Sequence, residues 1–185
     1  MINFVNVKKR FGALTVLNGL SLRVGRGRTM AIVGPNGSGK TTLIKSLLGL
    51  VRPEDGAIFV EETRLNGEYA YRDEIGYMPQ LPSFPENLKV REIINMIFDL
   101  RDRDGNLDRE SLVQFGLEEE LDKRFGTLSG GTKQKVSAYL ALQFDPKIIV
   151  MDEPTAGLDP VASTRLKDRI REEQDKNKTI ILTSH

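Results

Sequence analysis

The residues with the clearest chemistry are Gly34-Pro35-Asn36-Gly37-Ser38-Gly39-Lys40-Thr41, which satisfy the spacing G-x-x-x-x-G-K-[ST]. Glycines at these positions let backbone N–H groups turn inward onto phosphate oxygens, and a helix opening at Lys40 adds its partial positive charge. Lys40 can then reach the β and γ phosphates, the Thr41 hydroxyl can ligate Mg²⁺, and Thr42 belongs to the same nucleotide-contacting run. A second run, Ile148-Ile149-Val150-Met151-Asp152-Glu153, ends an apolar strand in two carboxylates. Alone, such a pair marks a helix start or a turn. Beside a phosphate loop it gains two roles, with Asp152 holding the Mg²⁺ shell and Glu153 orienting and deprotonating an attacking water.

These groups work only if the chain brings them to one edge of a sheet. Residues 29–33 form a continuous apolar run ahead of the glycines, and Leu43, Ile44, Leu47, Leu48 and Val51 recur on one helix face, so the loop joins a buried strand to a helix. Strand character returns at 57–60, 75–78, 148–151 and 179–183, and a charged helix over 162–175 turns Leu166 and Ile170 inward. Short alternating runs broken by Gly12, Gly19, Gly25 and Gly27 predict antiparallel strands and tight turns before residue 33. Between 86 and 126 the period is helical, through Val90, Ile93, Ile94, Ile97 and Leu100, with shorter patches around Leu112 and Leu121. Pro79, Pro82 and Pro85 make the joint ahead of it a stiff, extended hinge loop.

Lys plus Arg total 27 against 26 Asp plus Glu, so the net charge of +1 argues against a protein built mainly to bind nucleic acid. A composition 39% hydrophobic and 29% charged is that of an ordered globular chain, which excludes intrinsic disorder. With no Cys there are no thiolate metal sites or cysteine nucleophiles, as suits a reducing compartment. No run approaches the roughly 18 apolar residues of a membrane span. The first ten residues alternate as a strand does and lack the order of a signal peptide, so the cytoplasm is the expected location.

Leu128-Ser129-Gly130-Gly131-Thr132-Lys133-Gln134-Lys135, ahead of the Asp152-Glu153 strand, resembles the LSGGQ signature of the ATP-binding cassette (ABC) transporter ATPases. A Ser and two glycines opening a helix over 132–144 make an anion site, and Ser129 also reads as that helix's N-cap. The resemblance implies an α/β phosphate-loop fold of RecA-like type, with an N-terminal antiparallel β-subdomain and an inserted helical subdomain. Residues 1–84 and 146–185 would form the core and β-subdomain, and 85–145 the helical part carrying the signature. It also implies that Ser129, Gly130 and Gly131 cap the γ-phosphate held by a second ATPase subunit, in a dimer enclosing two ATP molecules.

Other positions follow from the same resemblance. Gln80 matches the loop residue that touches Mg²⁺ and the water and transmits motion to the helical lobe. Phe11 sits where an aromatic stacks on adenine, although by itself a Phe near a turn reads equally as core. Asp159 belongs to the loop linking the two sites across the dimer, and His185 matches the switch histidine at the γ-phosphate. Thr132 departs from the usual Gln, which removes a side-chain contact and leaves the glycine amides. The family's catalytic domain continues with a further strand and helix beyond the position of His185, so the expectation is a C-terminally truncated domain that binds nucleotide better than it hydrolyses it.

The implied function is to power membrane permease subunits, with ATP hydrolysis coupled to transport. The alternative is a non-transport cassette ATPase of translation or DNA repair, and the compact stretch between Gly34 and Ser129, without a heptad array, weighs against the repair type. Phe84-Pro85-Glu86-Asn87-Leu88 together with Thr132 also resembles ATPases of the copper-processing transporter that matures nitrous oxide reductase. Any copper would sit in the partners, because this chain has no Cys, one His and scattered Met.

Overall fold

The computed structural model describes residues 1–102 and 107–185. Two four-stranded sheets organise it. In the antiparallel one, β1 (Ile2–Phe11) lies between β2 (Leu14–Val24) and β4 (Asp55–Val60), with the short β5 (Thr63–Arg64) outside β4. The parallel one has the order β3 (Thr29–Val33), β8 (Thr179–Ser184), β7 (Ile148–Met151), β6 (Ile75–Met78). Because all four of its strands run the same way, the residues that follow β3, β6, β7 and β8 emerge at one edge, where open α/β sheets bind ligands.

Strand β7 is buried at every position, as expected for a parallel strand covered on both faces. Ile148 and Val150 pack with Leu43, Ile44 and Leu47 of α1 (Lys40–Leu47) and with Ile2 and Phe4 of the antiparallel sheet. Ile149 and Met151 face the opposite core, built from α2 (Val90–Leu100), α3 (Arg109–Phe115), α4 (Gly130–Leu142) and α5 (Pro160–Asp175). The period of two thus assigns alternate side chains of one strand to two separate cores.

The helices follow their apolar stripes. α2 buries Val90, Ile93, Ile94 and Phe98, and its start is boxed by the Glu92 carboxylate, which accepts the Lys89 N–H at 2.7 Å. Burying each of these side chains is worth roughly 1.5–3 kcal/mol. α4 lies so close to β6 that a Cβ added at Gly76 would fall 1.8 Å from the Ala141 carbonyl oxygen, so no larger residue fits there.

Four elements differ from the sequence reading. β3 is not the buried strand expected ahead of the glycines: it is an edge strand of the parallel sheet, with Thr29, Ala31 and Val33 exposed and only Met30 and Ile32 packed on the core, because it has a neighbour on one side alone. Gly19 does not break a strand: it sits inside β2 at φ 70°, where the pairing with β1 shifts register between Val7 and Lys9, so the hairpin runs longer than the glycines suggested. The patch near Leu121 is one 3₁₀ turn over Glu118–Glu120, since α3 already ends at Gly116 in the left-handed region and too few residues follow to nucleate a helix. α5 starts at Pro160, two residues early, because Asp159 caps it and proline is preorganised for the first helical position. Among the described residues no helix is long and apolar enough to cross a membrane.

Candidate functional site

The phosphate-loop residues lie where the sequence puts them, between β3 and α1. Gly39 precedes α1 at φ 94°, and a Cβ there would sit 3.0 Å from the Val16 carbonyl oxygen, so both backbone and space demand glycine. No side chain caps α1 and its first turn carries no acid, which leaves the amide end of the helix to an anion. Lys40 is 7% exposed. Its ammonium donates to the carbonyls of Gly34 (2.5 Å) and Pro35 (3.1 Å) and stands 3.8 Å from Glu153 Oε1.

The acid pair is held from several sides. Asp152, 1% exposed, accepts the Thr41 hydroxyl on Oδ2 at 2.8 Å and the Thr183 hydroxyl on Oδ1 at 2.5 Å, and its own amide donates to the Met78 carbonyl at 2.9 Å. Glu153 adopts φ 52°, a left-handed conformation unusual for a residue with a long side chain. Its Oε2 receives the Gln80 amide at 2.8 Å and lies 2.9 Å from His185 Nε2. Gln80, Lys40, Thr41, Asp152 and His185, from four separate segments, therefore converge on or beside Glu153.

The remaining predicted residues lie outside this cluster. Ser129 is exposed and caps α4, its Oγ accepting the Thr132 amide at 3.1 Å and lying 2.9 Å from the Thr132 hydroxyl. A Cβ on Gly131 would be 3.2 Å from the Gly157 carbonyl, so the signature and the loop leading to Asp159 are neighbours. Asp159 accepts the Ala162 amide at 2.9 Å as the cap of α5, and chiefly that bond holds its carboxyl below the usual range. Phe11 is 49% exposed at the tip of the β1–β2 hairpin, with the Lys9 ammonium 5.2 Å from its ring centre. The same hairpin meets the phosphate loop, through Val16 against Gly39.

The sequence reading did not single out Thr183 or Gln134. Gln134, buried on α4, donates to the Gln80 carbonyl at 2.6 Å and so ties the signature helix to the loop that holds Glu153. Thr183 had a legible signal: it stands two residues before His185, the spacing that turns side chains of an extended chain to one side.

The donor set fits Mg²⁺. Thr41 Oγ1 and an Asp152 oxygen lie 2.8 Å apart, and both are hard oxygen donors. Among the described residues no group of three or more His, Cys, Asp or Glu side chains could cage a metal by itself.

A parallel sheet with a glycine-rich loop and an acid pair at its C-terminal edge defines the phosphate-loop nucleotide-binding fold. The ABC transporter family matches residues 17–156. Nod factor export ATP-binding protein I of Burkholderia lata is 38% identical over 190 residues, covering 100% of this chain and 62% of that protein. The protein of the same name from Rhizobium sp. (strain N33) is 40% identical with the same coverage. Of solved structures, an ATP-binding subunit of an ABC transporter matches with a TM-score of 0.88 and 32% identity, over 100% of this chain and 79% of that one. A dimeric ATP-binding cassette in a post-hydrolysis state with ADP and Pi matches with a TM-score of 0.90 and 25% identity, over 100% and 88%. The chain belongs to the ABC transporter family, and it spans 62% of the length of these curated relatives.

Proposed function

We propose that the chain is the ATP-binding and ATP-hydrolysing part of an export-type ABC transporter, acting at the cytoplasmic face of the membrane through permease subunits. The observation that carries this reading is the convergence of Lys40, Gln80 and His185 on the Glu153 carboxylate, next to the Thr41–Asp152 pair. In this reading the amides opening α1 and the Lys40 ammonium bind the β and γ phosphates and offset their charge. Gln80 and His185 hold the Glu153 carboxylate at the sheet edge, where it takes the proton of a water attacking the γ-phosphate. Thr41, Asp152 and Gln80 would hold Mg²⁺, whose contribution when bound is to neutralise charge developing on the phosphate oxygens. Phe11 supplies a face for the adenine.

Ser129, Gly130, Gly131 and the Asp159 loop belong to the face that meets a second ATPase subunit. Their exposure supports that reading, and so does the dimeric state of the cassette with ADP and Pi named above. A groove of about 630 Å³, lined among others by Leu48, Leu50, Tyr77, Phe84, Ile97 and Leu100, supports docking of an apolar element of a membrane subunit. Export as the direction rests on the relatives' names. Copper processing, suggested by residues 84–88 and Thr132, concerns cargo handled by partner subunits. A role in translation or repair has less support, since the named relatives are export proteins.

The test is Glu153→Gln. Hydrolysis is expected to fall roughly 10²–10⁴-fold while ATP binding persists, and an ATP-dependent dimer should accumulate in light scattering. Undiminished turnover would refute the assignment of the base.

A further inference from the structure

We propose that Thr183 is a positioning residue of this site, whose hydroxyl sets the metal-binding acid and the base relative to each other. The proposal rests on the nucleotide-hydrolysing reading above. Thr183 is 1% exposed, so it meets neither solvent nor a ligand arriving from solvent. Its hydroxyl has two partners, Asp152 Oδ1 at 2.5 Å and the Glu153 amide nitrogen at 2.9 Å. An amide can only donate, so the hydroxyl accepts from Glu153 and its single proton goes to the Asp152 carboxylate. The direction of both bonds is thereby fixed.

Three consequences follow. Asp152 is clamped on each oxygen by a different threonine, Thr41 from α1 and Thr183 from β8. Of the two, only Thr41 is placed to serve a metal as well, so Thr183 is the clamp that stays while Thr41 is engaged. The left-handed backbone of Glu153 leaves its amide off the strand ladder, and Thr183 is what satisfies that buried donor. Finally, Thr183 in β8 and His185 just after that strand grip Glu153 at its two ends, amide and carboxylate. The end of β8 and the residue after it therefore set the position of the acid, the backbone of the base and the tip of its side chain.

The experiment uses the full chain and its Thr183→Val and Thr183→Ser variants. A fluorescent ATP analogue is titrated in EDTA and over a Mg²⁺ series, alongside steady-state hydrolysis and thermal melting. Valine keeps the shape and removes the hydroxyl. Binding in EDTA should stay within twofold of the parent, while half-saturating Mg²⁺ rises and kcat falls by roughly 10–100-fold each. Serine keeps the hydroxyl and should stay within about threefold on both, since the hydrogen-bonding group is what the role requires. A folded valine variant with parental Mg²⁺ dependence and kcat overturns the assignment of Thr183 and leaves the nucleotide reading intact. If valine does not fold, serine decides: parental Mg²⁺ dependence upholds the hydroxyl's role, and a folded serine variant needing tenfold more Mg²⁺ overturns it, because packing of the methyl would then set the site. A parent chain that binds no ATP analogue with or without Mg²⁺ overturns both readings.

Discussion

Two helices of this molecule begin in glycine-rich loops, and they begin differently. α1 has no side-chain cap, a left-handed glycine before it and a buried lysine as its first residue. α4 is capped by its own Ser129, is exposed at that end, and has open space around Gly130. Both ends carry the partial positive charge of a helix N-terminus. Only α1 has a lysine, an acid pair and three further polar side chains gathered beside it by one sheet edge. The difference teaches that an anion pole becomes a site when other elements converge on it. In the reading proposed above, the pole at α4 takes a phosphate held by a second subunit.

Four substitutions test this contrast. Lys40→Ala should have the largest effect, weakening binding of ATP by the isolated chain roughly 10–150-fold, the value of charge-assisted hydrogen bonds worth 1.5–3 kcal/mol. Equilibrium titration checks it, and unchanged affinity would erase the distinction. Ser129→Asp comes next, because aspartate caps a helix as well as serine but repels phosphate. It should leave melting and single-chain ATP binding unchanged and weaken the ATP-dependent dimer of the Glu153→Gln background by about tenfold or more. Gly39→Ala should cost about 1–3 kcal/mol of stability in denaturant titration, from the positive φ and the contact with the Val16 carbonyl. Thr132→Val should have the smallest effect, about 0.5–1.5 kcal/mol, by removing the hydroxyl beside Ser129 while keeping the amide that Ser129 caps.

Strand β7 and the loop of α1 were legible from a continuous apolar run and from glycine spacing, whereas β3 reads as buried and lies half exposed at the sheet edge. Ile148–Met151 is a short unbroken apolar run, the pattern of a doubly covered strand, and the spacing of residues 34–41 places them after a strand and at the start of a helix. The hairpin of β1 and β2 was less so, since Gly19 reads as a terminator and serves as an irregularity inside a continuous strand. Chemical identities at the site were visible as residue types, whereas their joins were not. Asp152, Gln80 and His185 follow different strands, and contact among them depends on a strand order that no local pattern encodes. Thr183 and Gln134 escaped notice because threonine in a strand and glutamine in a helix are unremarkable until a neighbour from another segment is found.

Strand β7 has a consequence for how this domain can be altered. Its four side chains alternate between two compartments, and the acids follow directly from its last residue. A void opened at Ile149 and one opened at Val150 therefore arise on opposite sides, yet both are felt at Asp152 and Glu153. Mutational tolerance should be lowest along these four positions and highest on the solvent side of α5, where Asp168 and Arg171 stand half exposed or more. A library meant to raise heat resistance without loss of turnover belongs on that outer surface.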